Sequence, residues 1–536
     1  MLRFNRALRV GTAIAAGLAI SATVVAPASA QESNGPKNII YMIGDGMGYN
    51  HVAYNNLYET GQSKYLVEGE FGSEDMKELE GNSVQAYEDF NRLSQTTYSM
   101  GGSYDPQQAW ASHDYVQNGI VTDSAAAGTA MATGSKVENG VLGMSNYGHA
   151  MENLSEMAIK QGKAAGVVSS VPFSHATPAA FAAHNQDRNA YGEIAKEMFE
   201  SDLSVIMGAG HPLYDDSNQL RATPAYEYID QAEFDALASG ESDWEFMENN
   251  DQFEALANGE VAEGGKYFGI PQVASTLQQG RAGSEDATPY SDPLNDVVDL
   301  PTMTTGALNV LGQDEDGFSV MIEGGAIDWT GHANESAREI EEMQDFNASV
   351  DAAVEWVETN SNWDETLLIV TADHETGYLS GLNEPEEGQW NEMKGDINAL
   401  PSHNWYSGNH TNQVVPFFFK GAGPEDILAQ VSGTDPVRGD YIDNTDIAKL
   451  AKNTWWNGTD GNDGTDGDNE TPGTDDEQSS ESSQPSDSNG SSNATSGLAG
   501  AGIMAAVLGA LVALAQSLGV VSIDTSAIDR LIRQFM

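Results

Sequence analysis

Apolar and polar positions alternate along the chain in blocks. Short apolar runs at residues 38–43, 165–171, 203–207, 318–322, 367–371 and 414–419 read as buried strands. Helix-like stretches at 151–161, 191–199, 335–359 and 445–452 lie between or after them. Strands alternating with helices predict an α/β fold, a three-layer sandwich with a large, mostly parallel central sheet and helices on both faces. Ligands of such sheets bind beyond the carboxyl ends of the strands, so the residues that follow each run carry the most information. Two acidic stretches, 59–115 and 212–301, interrupt the rhythm and are expected to lie over the core as insertions.

The two ends carry a different pattern. Arg3, Arg6 and Arg9 precede an apolar stretch at 10–25, and Ala28-Ser29-Ala30 stands before Gln31. That is the layout of a secretory signal over residues 1–30, which predicts export and a mature start at Gln31. After the body at 31–456, residues 457–496 hold acidic and small polar residues with no Lys or Arg, the composition of a disordered linker. The apolar run that follows predicts a C-terminal transmembrane anchor at 497–521. Arg530 and Arg533 then place a tail, 522–536, in the cytoplasm and the body outside.

Composition narrows the chemistry. Among 536 residues there are 81 Asp and Glu against 23 Lys and Arg, a formal net charge of −58. Such a chain repels phosphodiester backbones and anionic headgroups, which argues against nucleic acid as a partner and against polybasic membrane binding. There is no cysteine, so disulfides, thiolate metal sites and a thiol nucleophile are excluded. Any metal has to be held by His, Asp, Glu and hydroxyls.

Those residue types gather just beyond the strands. Asp45 follows the first run between glycines. The run at 318–322 leads into Glu323, Asp328 and His332, and the run at 367–371 leads into Asp373-His374-Glu375. His410-Thr411 stands just ahead of the last run. Read singly, an aspartate after a strand is more often a cap or turn residue, and a histidine is more often satisfied in a core. Together they gather carboxylates and imidazoles, for which a divalent cation is the simplest reason. Ser124, in Thr122-Asp123-Ser124-Ala125, stands where an extended segment gives way to an Ala-rich helix. It is either an N-cap or, with metals near, a nucleophile whose alkoxide a cation stabilises.

Gly44-Asp45-Gly46, Thr122-Asp123-Ser124-Ala125, Ala176-Thr177-Pro178-Ala179-Ala180, Asp187-Arg188-Asn189, Glu323 through Asp328 to His332, Asp373-His374-Glu375 and Gly408-Asn409-His410-Thr411 occur in this order across residues 38–422. In that order and content the chain resembles the alkaline phosphatases. The resemblance implies two zinc ions and one magnesium. One zinc would take Asp328, His332 and His410; the second would take Asp45, Asp373, His374 and, during reaction, Ser124. Magnesium would take Asp45, Thr177 and Glu323. Arg188 would grip two phosphoryl oxygens with its planar fork, beside Asp123. The implied reaction is hydrolysis of small phosphate monoesters through a phosphoserine, by two displacements. The ions and Arg188 together would leave the site positive by about two charges within an acidic body, and charge farther than about 10 Å away is screened. Where some family members carry a carboxylate and a lysine, this chain carries His175 and Trp329. His175 would therefore either bind the third ion or stand behind its ligands, which leaves the identity of that ion open. Many members of the family are homodimers. The other readings of the same residues are a phosphodiesterase or another hydrolase of the superfamily, and a non-catalytic surface protein with structural metals, which would tolerate Ser124→Ala.

Overall fold

Strand β1 (Asn38–Gly44) is buried along its whole length, as a strand covered on both faces must be. Its side chains alternate, with Ile39, Tyr41 and Ile43 in one apolar cluster and Ile40 and Met42 in the other. The computed structural model describes residues 35–73, 76–283, 288–382 and 388–456. The expected signal at 1–30, linker at 457–496, anchor at 497–521 and tail at 522–536 lie outside those residues. Among the described residues no helix is long and apolar enough to cross a membrane.

The other ten strands of the main sheet are β2 (Asn91–Thr96), β3 (Ala164–Pro172), β4 (Val205–Ala209), β5 (Glu245–Met247), β6 (Tyr267–Gly269), β7 (Phe318–Gly324), β8 (Thr366–Thr371), β9 (Val415–Gly421), β10 (Gly433–Asp435) and β11 (Gly439–Asp443). Their order is β10-β11-β2-β9-β8-β1-β7-β3-β4-β6-β5. The seven strands from β8 to β5 run parallel, while β9 runs antiparallel to β8 and to β2. One face is covered by helices α1 (Tyr49–Thr60), α6 (Leu300–Leu311) and α8 (Ser336–Asn360). The other is covered by α2 (Ser124–Thr133), α3 (Leu154–Lys160) and α5 (Tyr191–Phe199). Two further helices, α4 (Ala176–Ala180) and α7 (Ala326–Ala333), start beyond the carboxyl ends of β3 and β7. The expected three-layer α/β sandwich is therefore the observed one, and each of the six apolar runs is a sheet strand.

Three expectations need amendment. The stretches 59–115 and 212–301 are not only covering insertions. The first supplies β2, inside the sheet between β9 and β11, and the second supplies β6 and the edge strand β5. The helix expected from residue 151 starts at Leu154, because Asn153 and Glu156 form a reciprocal capping box, with each side chain accepting from the other's backbone N–H at 3.0 Å. The last helix is α-helical only over Asp446–Leu450 and continues as a π turn, Ala451–Trp455.

Candidate active site

Three neighbouring parallel strands end together and deliver the acids. β1 runs on into Asp45, β8 into Asp373-His374, and β7 leads through Glu323 into α7. The chain turns sharply after Asp45 at Gly46, with φ +74, where a Cβ would lie 2.8 Å from Thr376 Oγ1 and 2.9 Å from Asp328 Cα. Glycine is required there by both backbone and space. The Gly46 N–H donates to Asp373 Oδ1 at 3.1 Å and so ties two strand ends together. On α7, Asp328 and His332 stand four residues apart, one turn on the same face, with His332 Nε2 3.4 Å from Asp328 Oδ2. His410 arrives by tertiary pairing: the short strands Glu375–Thr376 and His410–Thr411 are antiparallel and place Thr376 opposite His410. The His410 ring then stacks on His374 with centroids 3.5 Å apart.

Two metal-sized groups result among the described residues: Asp328, His374 and His410, and Asp45, Asp373 and His374. His374 Nε2 lies 3.1 Å from Asp373 Oδ2 and 3.5 Å from Asp45 Oδ1. His410 Nε2 lies 3.3 Å from Asp328 Oδ1. His410 Nδ1 donates to the Thr122 carbonyl and His332 Nδ1 to the Gly408 carbonyl, each at 2.8 Å. Carbonyls only accept, so Nδ1 carries the proton in both rings, and in the neutral rings two Nε2 lone pairs face each other at 3.1 Å beside a carboxylate. That arrangement calls for a cation between them. Without one, a proton stands in: burial disfavours it, but Asp328 outweighs burial and raises His410 to about 9. Burial would likewise raise Asp328, yet the surrounding imidazoles hold its carboxyl below the usual range.

The buried oxygens tell the same story. Both carboxylate oxygens of Asp45, Asp373 Oδ2, Glu323 Oε1 and Thr177 Oγ1 are buried without a hydrogen-bond partner. A buried polar atom is costly unless something satisfies it, and here five converge. Burial, then the neighbouring Asp373, Asp328 and Glu323, push the Asp45 carboxyl far above its ordinary value, and burial raises Glu323 to about 7. A set of carboxylates and a hydroxyl that repel one another and lack partners fits hard divalent cations, while the imidazole-rich group fits zinc. His175 Nδ1 is also buried and unpartnered, beside the Trp329 ring at 5.7 Å and the Tyr191 ring at 6.1 Å. Burial, with Arg188 second, lowers His175 to about 3, so it presents a neutral imidazole.

Ser124 opens α2, and its Oγ lies 3.2 Å from His374 Nε2. It is not the cap: Asp123 accepts the Ala126 N–H at 2.9 Å and takes that role. The hydroxyl is thereby left to the cluster, at the positive end of the helix dipole. Arg188 Nη1 donates to Asp123 Oδ2 at 2.9 Å, which aims the guanidinium while leaving further N–H groups for a ligand. All ten expected ligand, nucleophile and arginine positions thus border one site, with His175, Trp329 and Asp123 beside it. Sequence reading missed Thr376, whose hydroxyl donates to Asp328 Oδ1 at 2.5 Å, and Ser169, which donates to Glu323 Oε2. Thr376 follows His374 by two residues, the spacing of one strand face, which was the available signal.

Comparison with known proteins agrees with this layout. A family model described as "Alkaline phosphatase" matches residues 36–211 and 289–417, more than half of the chain. Alkaline phosphatase 4 of Bacillus subtilis is 30% identical over 486 residues, covering 79% of this chain and 92% of that protein. Alkaline phosphatase 3 of the same organism is 30% identical over 354 residues, covering 64% of this chain but only 62% of its own length. The crystal structure of a cold-active alkaline phosphatase from a psychrophilic Shewanella superposes with a TM-score of 0.53 at 23% identity, over 77% of this chain and 98% of that one, which speaks for the fold.

Proposed function

The chain belongs to the alkaline phosphatase family, and from that premise we propose that it hydrolyses phosphate monoesters to an alcohol and inorganic phosphate, with Ser124 as nucleophile. The observation that carries the reading is the placing of Ser124 Oγ, at a helix N-terminus and 3.2 Å from His374 Nε2, in a cluster whose acid oxygens lack partners. Asp328, His332 and His410 would hold one zinc; Asp45, Asp373 and His374 would hold a second; Asp45, Thr177 and Glu323 would hold magnesium, with His175 beside it. When bound, such ions supply positive charge that stabilises a serine alkoxide, a departing alkoxide and hydroxide near neutral pH.

The chain's own groups do the rest. Arg188 and the N-terminus of α2 bind the phosphoryl oxygens and orient phosphorus toward Ser124 Oγ. Ser124 Oγ bonds to phosphorus as the ester P–O bond breaks; the alkoxide leaves with the electron pair and becomes the alcohol by taking up a proton, the equivalent of the one Ser124 Oγ gives up. A water oxygen from the vacated side then bonds to phosphorus as the Oγ–P bond breaks, which releases phosphate and leaves one water proton on Ser124 Oγ. Asp123 holds Arg188 in place throughout. Export is part of this proposal and rests on residues 1–30; membrane anchoring rests on the apolar run at 497–521 alone.

Hydrolysis of an aryl phosphate by the whole chain, followed before chelation, after it and after return of zinc and magnesium, tests the reading. Activity is expected to vanish and return, and Ser124→Ala is expected to lower turnover by orders of magnitude with metal content unchanged. A folded, metal-loaded protein that cleaves only diesters would place the chain with phosphodiesterases of the superfamily instead.

A further inference from the structure

One exposed side chain outside the site described above binds the segment on which that site depends. Asn139 Oδ1 accepts the Asp123 N–H at 3.2 Å, and its Nδ2 donates to the Val121 carbonyl at 2.9 Å. The carboxamide therefore spans residues 121–123 from both sides, as a neighbouring strand would. The next residue, Gly140, with φ +87, completes the grip. Its N–H donates to Asp123 Oδ2 at 2.9 Å, and its carbonyl accepts the Arg188 N–H at 2.9 Å. One Asn-Gly turn thus touches both members of the Asp123–Arg188 pair.

Everything downstream of that short segment is chemistry. The Thr122 carbonyl orients His410 through Nδ1, the Asp123 carboxylate aims Arg188 and caps α2, and Ser124 follows immediately. The segment belongs to no strand, so no sheet ladder holds it. We propose that Asn139 is a positioning residue: its carboxamide braces residues 121–123 and so keeps Ser124, Arg188 and His410 in mutual register for the phosphoryl group. This inference rests on the phosphatase reading above. Asn139 is solvent-exposed, so its removal leaves no cavity and costs little in packing.

The test compares the whole metal-loaded protein with its Asn139→Ala variant. The brace predicts that KM for an aryl phosphate and the inhibition constant of inorganic phosphate both rise about tenfold, the scale of one or two net hydrogen bonds. Amide hydrogen exchange across residues 119–124 is expected to accelerate in the metal-free protein as well. A merely structural role would lower the active fraction, and with it apparent kcat, while leaving KM, phosphate inhibition and exchange unmoved. Asn139→Asp keeps the shape and the acceptor but loses the donor to Val121; it serves where Asn139→Ala fails to fold, and weakened phosphate binding is expected there too. Unchanged phosphate inhibition and unchanged exchange in the folded variants would overturn the proposal. Wild-type protein that neither cleaves nor binds phosphate would instead sink the phosphatase reading, and the brace would then stand or fall on hydrogen exchange alone.

Discussion

Two clusters of buried charge among the described residues are built on opposite plans. On α8, Glu341 accepts from Arg281 Nη2 at 2.6 Å, from Arg338 Nη1 at 3.1 Å and from the Tyr290 N–H at 2.6 Å. Both arginines and the glutamate are nearly fully buried, and the chain supplies cation and anion together. At the strand ends, Asp45, Glu323, Asp328 and Asp373 are just as buried, yet several of their oxygens have no partner. The first cluster ties Arg281 and Tyr290 to α8, and of its charged groups only Arg338 Nε lacks a partner. The second is complete only with a ligand of positive charge. Burial alone therefore does not distinguish a structural charge from a functional one, nor does a single unsatisfied oxygen, since Glu342 on α8 also has one; the convergence of several such oxygens from different strand ends does.

The contrast can be broken experimentally, and the largest effect is expected from chelation. Removing metal should abolish phosphate-ester hydrolysis and lower the thermal midpoint, with a loss of several kcal/mol at saturating metal, since ligand binding adds to stability by mass action. Scanning calorimetry with and without chelator measures it. Glu341→Ala should come next, destabilising the fold by about 3–5 kcal/mol because buried Arg281 loses its anion and buried Arg338 keeps only Asp292 at 4.0 Å. Denaturant unfolding should report that loss equally in metal-loaded and metal-free protein, with KM unchanged in what remains folded. Arg188→Lys keeps the charge but loses the planar fork, so kcat/KM should fall about tenfold or more while stability hardly moves.

The smallest effect carries the clearest sign. Glu323 is raised from 4.5 to about 7 by burial, so in the metal-free protein it keeps its proton to higher pH than in the unfolded chain. That mismatch costs nothing below 4.5, grows between 4.5 and 7, and is fully developed above. Glu323→Gln should therefore stabilise the metal-free protein by about 1 kcal/mol or more at pH 8 and not at all at pH 4, while reducing the stabilisation that added magnesium provides. Thermal midpoints across pH, with and without metal, decide it. A variant less stable than wild type at pH 8 without metal would contradict the picture of an uncompensated acid.

How far the molecule is legible in its sequence differs from strand to strand. β1, β7 and β8 are nearly continuous apolar runs because helices bury both of their faces. β2, with the sequence Asn-Arg-Leu-Ser-Gln-Thr, sits within the same sheet but has no such run. Its polar side chains bond sideways: Ser94 Oγ lies 2.7 Å from the Tyr49 hydroxyl, Gln95 Nε2 donates to the Ala372 carbonyl and Thr96 donates to Asp443. Hydropathy cannot register a strand whose burial is secured by hydrogen bonds to residues distant along the chain. The site divides in the same way. Asp45, Asp373 and Glu323 follow apolar runs and announce themselves, whereas Asn139 and Thr376 look like ordinary turn and strand residues until their partners are in place.

The α/β layering, the strand ends at which acids and imidazoles gather and the serine that opens α2 are written in local periodicity and in nearest neighbours along the chain. Which of those groups meet depends on how distant segments pack. His410 stands against His374 through the pairing of two-residue strands, Asp123 rather than Ser124 caps the helix, and Asn139 closes on the segment ahead of the nucleophile. Such contacts join residues far apart in sequence, and their energies depend on distances of about 3 Å that no residue carries in its own identity.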